Sequence, residues 1–115
     1  MGKANKQWGK PPAHGKRIKY NGSIFRSTYE VRFAKAFDAL GIRWIYEPRR
    51  FDLGTCTYLP DFYLPDFNTY CEVKGWLGPD SIKKNALFSK TFPDIPWLLL
   101  MEPELKDAEL HAASA

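Results

Sequence analysis

Cysteine and histidine are scarce in this 115-residue chain, two of each. Cys56 and Cys71 form neither a disulfide framework nor a C-x-x-C metal spacing, which points to a reducing, cytoplasmic setting. His14 and His111 stand without a partner motif, so neither is assigned chemistry. Long apolar runs are also missing. The longest, Trp97–Met101, falls far short of the ~20 residues that cross a bilayer. The basic N-terminus is not followed by an apolar stretch, so no secretory signal is visible, and there is no internal repeat or low-complexity block. What remains is 44% hydrophobic, 16% aromatic and 26% charged residues, the composition of a folded soluble protein and not of a disordered tail. A chain of this length buries roughly 65% of its unfolded surface, enough for one core.

Charge is modest in sum and uneven in distribution. Lys3, Lys6, Lys10, Lys16, Arg17 and Lys19 put six positive charges and no acid into residues 1–20; with +4 for the whole chain, the rest is left at −2. A basic arm on a slightly acidic body fits a polyanionic partner, or simply a solubilising end. Residues 1–20 also hold Gly2, Gly9, Pro11, Pro12 and Gly15 without apolar periodicity, and read as a flexible arm ahead of a domain over 21–115.

The domain opens at the Asn21-Gly22 turn signal. Ser27 then stands three residues before Glu30, and Val31, Phe33, Ala34, Phe37 and Leu40 recur at helical spacing until Gly41, which predicts an amphipathic helix. Ile42–Tyr46 reads as a strand. Thr57–Leu64 and Thr69–Lys74, separated by Pro65-Asp66-Phe67-Asn68, read as a hairpin. Gly78-Pro79-Asp80-Ser81 opens a second helix to about Lys90; Pro96–Met101 reads as a buried strand and Glu102–Ala115 as a terminal helix. The order is helix, three strands, helix, strand, helix: a small single α/β domain with a central mixed sheet flanked by helices.

Chemistry concentrates in Tyr58-Leu59-Pro60-Asp61-Phe62 and Tyr70-Cys71-Glu72-Val73-Lys74-Gly75. Strand alternation sends Glu72 and Lys74 to one face and Cys71 and Val73 to the other. A carboxylate and an ammonium in an apolar strand are costly unless that face opens to solvent or to a site. Asp61, on the preceding strand, is placed to come beside Glu72. Two converging carboxylates make a hard-oxygen site suited to Mg²⁺.

These residues resemble the P-D…(D/E)-x-K signature of the PD-(D/E)XK nuclease superfamily, over about residues 23–101. Ser27-x-x-Glu30, Tyr46-Glu47-Pro48, Tyr58–Phe62 and Glu72–Gly75 are closest to small phage nucleases of the endonuclease I-like, Holliday-junction-resolvase type. The resemblance implies the restriction-endonuclease-like αβββαβ core. It also implies Mg²⁺-dependent hydrolysis of DNA phosphodiesters to 5′-phosphate ends, with Mn²⁺ able to substitute, in the cytoplasm of a bacterial or phage-infected cell. Asp61, Glu72 and the Val73 carbonyl would ligate the metal, Glu30 would complete the site, and Lys74 would position water. The partner would be double-stranded DNA, branched in the resolvase case, where paired cuts require a homodimer. Lys16, Arg17, Lys19, Arg26, Lys83 and Lys84 are the candidate phosphate contacts.

Each residue has a plainer reading. Glu30 can be the acid of a capping box, Asp61 a turn residue after Pro60, and Glu72 with Lys74 a surface ion pair worth ~0–1 kcal/mol. Glu47 reads as structural, Trp76 as core or rim, and Lys83 and Lys84 equally as a solvated helix face. An inert nuclease-like core that binds nucleic acid, or a sequence-nonspecific nicking nuclease, are the alternative functions.

Overall fold

A computed structural model describes residues 17–114. Most of the expected basic arm, with Lys16, Trp8 and His14, lies outside the described residues. The elements are β1 (Ile18–Tyr20), β2 (Ser23–Phe25), α1 (Thr28–Ala39), β3 (Ile45–Tyr46), β4 (Phe51–Asp52), β5 (Thr57–Tyr58), β6 (Phe62–Leu64), β7 (Thr69–Val73), α2 (Pro79–Thr91), β8 (Trp97–Leu100) and α3 (Glu102–Ser114). Four strands form one mixed sheet in the order β3-β6-β7-β8, in which only the β7–β8 pair is parallel. The helix–three strands–helix–strand–helix order expected for an α/β domain is the order of α1 and this sheet.

Local chemistry accounts for the boundaries. Asn21 and Gly22 both take positive φ, 48° and 84°, the twist of a type I′ turn. That turn joins β1 to β2 with Tyr20 opposite Ser23. Ile18–Tyr20 therefore belong to the fold, and a boundary at residue 21 falls too late. Ser27 caps α1 by accepting from the Glu30 N–H at 3.2 Å. The helix ends on Gly41 at φ 73°, with Ile42 N–H to Phe37 O at 2.8 Å and Gly41 N–H to Asp38 O at 3.1 Å, the paired bonds of a Schellman end. Asp38 next to this end accepts from Tyr20 Oη (2.5 Å), Asn21 Nδ2 (3.2 Å) and Trp44 Nε1 (2.8 Å), tying the N-terminal hairpin to the helix.

Thr57–Leu64 is not one strand. Pro60, fully buried, cannot donate to a ladder. The chain breaks there: β5 pairs with β4, a strand the sequence reading did not include, while β6 pairs with β3 and β7.

The sheet separates two apolar clusters. Phe62, Leu64, Cys71 and Val73 face α1 and α3, packing on Phe25, Phe33, Phe37 and Leu105. On the other face Tyr70 and Trp97 meet Phe51, Tyr58 and Phe88, which joins α2 and the β4–β5 hairpin to the sheet. No described helix is long and apolar enough to cross a membrane.

Phe62 is fully buried and its ring meets those of Phe25, Phe37, Trp44 and Tyr46. Phe62→Ala is expected to lower unfolding free energy by about 3–5 kcal/mol. A urea titration showing a loss below about 1 kcal/mol would place the core elsewhere.

Candidate functional site

The break at Pro60 positions the first acid. Asp61 N–H bonds Cys71 O at 3.0 Å and Asp61 O accepts from Glu47 N–H at 2.8 Å. Asp61 Oδ2 accepts from Val73 N–H at 2.7 Å, so a carboxylate replaces a backbone carbonyl at the end of the β6–β7 ladder. In an extended strand one residue's N–H and C=O leave on the same side. The Val73 carbonyl is thereby directed to the side on which Asp61 lies.

Glu30 comes from the first turn of α1 and is buried, at 7% exposure. Its Oε1 accepts from Arg26 N–H (3.0 Å) and from Tyr46 Oη (2.8 Å). It thus does satisfy a backbone donor at the helix start, although that donor is Arg26 and not the capping Ser27. Its charge is among those that raise the Asp61 pKa, so the two carboxyls are near neighbours. The capping role and a place in the site coexist.

Glu72 leaves β7 on the face opposite Cys71 and Val73 and is equally buried, at 7% exposure. A hydrogen-bond chain fixes it. Trp97 Nε1 donates to Tyr58 Oη at 2.9 Å, and Tyr58 Oη donates to Glu72 Oε1 at 2.6 Å. An indole N–H can only donate, so Tyr58 Oη accepts from Trp97 and keeps its own proton for Glu72. Glu72 Oε2 faces Lys74 Nζ at 3.4 Å. Buried on the acid's side, this is not the surface pair of the plainer reading.

The electrostatics follow from burial. Desolvation first, then the charges of Glu72 and Glu30, raise the Asp61 pKa well above the usual carboxylate range. Desolvation also raises that of Glu72, against the opposing pull of the Tyr58 hydroxyl and Lys74. The Cys71 thiol, buried under the site, is pushed up to about 12, consistent with a packing role.

Glu30, Asp61, Glu72, Val73 and Lys74 line one cleft of about 770 Å³. Of the basic candidates, Arg26 and Lys84 line it as well, although Arg26 is ion-paired with Glu47. Lys83, Arg17 and Lys19 are exposed elsewhere. Of the dispersed arginines Arg26, Arg43, Arg49 and Arg50 that the sequence offers as a basic set beside the site, Arg26 and Arg50 line the cleft. Sequence reasoning missed Tyr46, Tyr58 and Trp97, which orient the acids, and Asn85, which shares the cleft wall. Tyr46 and Tyr58 belong to the Tyr46-Glu47-Pro48 and Tyr58–Phe62 motifs, but their partners stand far along the chain.

Among the described residues no group of three or more Asp, Glu, His or Cys side chains forms a ready-made metal cage. The donors nevertheless suit Mg²⁺, which keeps several waters and takes only one or two carboxylates. No protein donor among the described residues reaches the second oxygen of Glu30 or Asp61, and the burial and crowding that raise the Asp61 and Glu72 pKa values are relieved by a cation. Neither any protein-family model nor any curated protein matches this chain.

A carboxyl whose folded pKa lies above its unfolded value contributes stability that is complete below the unfolded pKa and is lost as pH rises through the folded one. Asp61 therefore costs the fold most at neutral and alkaline pH. Asp61→Asn, which keeps an acceptor for Val73 N–H, should raise stability at pH 8 by on the order of 1 kcal/mol, about 4–8 °C in Tm. The gain should shrink as pH falls. Equal melting temperatures at pH 8 would show that the acid is not electrostatically strained.

Proposed function

We propose that the cleft hydrolyses phosphodiester bonds of DNA with the help of a divalent cation, Mg²⁺ or in its place Mn²⁺. The observation that carries this reading is the set of three acids from three separate elements, Glu30, Asp61 and Glu72, each with one oxygen held by a protein donor, beside one lysine. Surface ion pairs do not call for such second partners, and a core would not retain three acids.

Asp61, Glu72 and the Val73 carbonyl would hold the ion, with Glu30 holding a second ion or a water. When bound, the cation neutralises the phosphate and acidifies water. Val73 N–H and Tyr58 Oη keep the Asp61 and Glu72 carboxylates from rotating. Lys74 Nζ, anchored at Glu72 Oε2, orients the attacking water and offsets the charge that builds on the phosphate. The water oxygen bonds to phosphorus and the bond to the 3′ oxygen breaks. That oxygen takes up a proton, which leaves a 3′-hydroxyl and a 5′-phosphate. Arg26, Arg50 and Lys84 on the cleft wall supply positive charge for neighbouring phosphates. Branched DNA cut by a homodimer is the resolvase form of the same proposal.

Purified protein incubated with supercoiled, linear and four-way-junction DNA should cut in Mg²⁺ and not in EDTA. Lys74→Ala should reduce the rate ~10²–10³-fold with DNA binding retained. Salt-sensitive binding without metal-dependent cleavage would instead establish an inert binding module. Metal affinity should fall with pH, because the raised carboxyls must first lose protons. Calorimetric Mg²⁺ titrations at pH 6 and pH 8 read this directly, and equal affinities would remove these acids from the metal's coordination.

A further inference from the structure

The α2 end of the cleft holds two features that the hydrolytic residues do not use. Asn85 lines the cleft from α2 and is buried, at 9% exposure, yet its side-chain amide has no hydrogen-bond partner among the described residues. A buried amide without a partner is a rarity that calls for a ligand or a water. Trp76 stands at the mouth of the same cleft, 44% exposed. Its ring lies against Gly78, where any Cβ would come within 2.8 Å of it. The absence of a side chain at position 78 therefore seats the indole on the backbone that opens α2, and the residue stays partly exposed.

A donor deep in the cleft and a flat aromatic surface at its mouth match the two ends of a nucleotide. We propose that this end of the cleft takes one unpaired nucleotide of the substrate strand, its phosphate on the Asn85 amide and Lys84 and its base stacked on Trp76. The proposal rests on the hydrolytic reading and names its substrate: DNA in which a base beside the cut is free of its partner, as at a branch point or in a single strand. A fully paired duplex keeps its bases stacked on one another and offers none to the indole. Stacking of this kind tolerates any base, since every base has a flat face. Asp80, also on this wall, disfavours an anion at the mouth, which leaves the deeper Asn85 as the phosphate contact.

The test measures binding of a labelled single-stranded octanucleotide and of its blunt duplex to the full chain in EDTA, where no cleavage occurs. Trp76→Leu should weaken the single strand by about 5- to 100-fold and leave the duplex unchanged, with Trp76→Phe restoring most of the loss. Asn85→Leu should weaken the single strand at least about 5-fold while its melting temperature stays equal or rises, because the unpaired amide is gone. A purely structural Asn85 would lower the melting temperature and leave binding alone. Variants that bind the single strand like wild type, or lose both DNA forms equally, overturn the subsite. If metal-dependent cleavage persists in that case, the hydrolytic reading stands without it. Absence of cleavage together with the expected binding pattern overturns the hydrolytic reading and keeps the nucleotide subsite.

Discussion

The hydrogen bond from Val73 N–H to Asp61 Oδ2 joins the sheet to the site. It exists because Pro60 ends the pairing of β5 and the backbone must leave the ladder before β6 begins. An acid thus completes the ladder, and in doing so is drawn into a cleft that also holds Glu30 and Glu72. The remaining geometry serves that convergence. The start of α1 brings Glu30, β7 brings Glu72 and Lys74, and the opening of α2 closes the far wall.

Maintaining such a cluster works against stability. Desolvation and mutual repulsion raise the Asp61 and Glu72 pKa values, and the fold compensates through fixed donors. Tyr46 and Tyr58 each donate a hydrogen bond from the hydroxyl to an acid, and their own pKa values rise as a result of burial and those charges. The tyrosine rings meanwhile belong to the aromatic clusters on the two sides of the sheet. Glu30 and Glu72 are in this way oriented through rings whose positions are set by core packing, while Asp61 is held by the Val73 backbone.

Much of this was legible in the sequence where the signal is local. Ser27 and Gly41 delimit α1, Pro65–Asn68 marks the β6–β7 turn, and Pro79 opens α2. The alternation of Cys71, Glu72, Val73 and Lys74 fixed which side chain faces which layer. What escaped was set by distant partners. Thr57–Leu64 has uninterrupted strand character, and only the pairing of β5 with β4 shows how far Pro60 redirects it. β1 was hidden by its basic neighbours, although the Asn21-Gly22 turn implies a strand on both sides. The Trp97–Tyr58–Glu72 chain joins Glu72 and Trp97, brought near by the parallel β7–β8 pair, to Tyr58 of the β4–β5 hairpin packed on that face, and a polar Asn85 on a helix reads by default as a solvated side chain.

Glu47 adopts φ 47°, a left-handed backbone that glycine, asparagine and aspartate accept far more readily than glutamate. It holds this shape while its amide bonds Asp61 O and its carboxylate pairs with Arg26. The position therefore answers to two incompatible preferences at once, and glutamate satisfies the one that glycine cannot. A change to glycine relaxes the main chain but releases Arg26, and a β-branched replacement forfeits both.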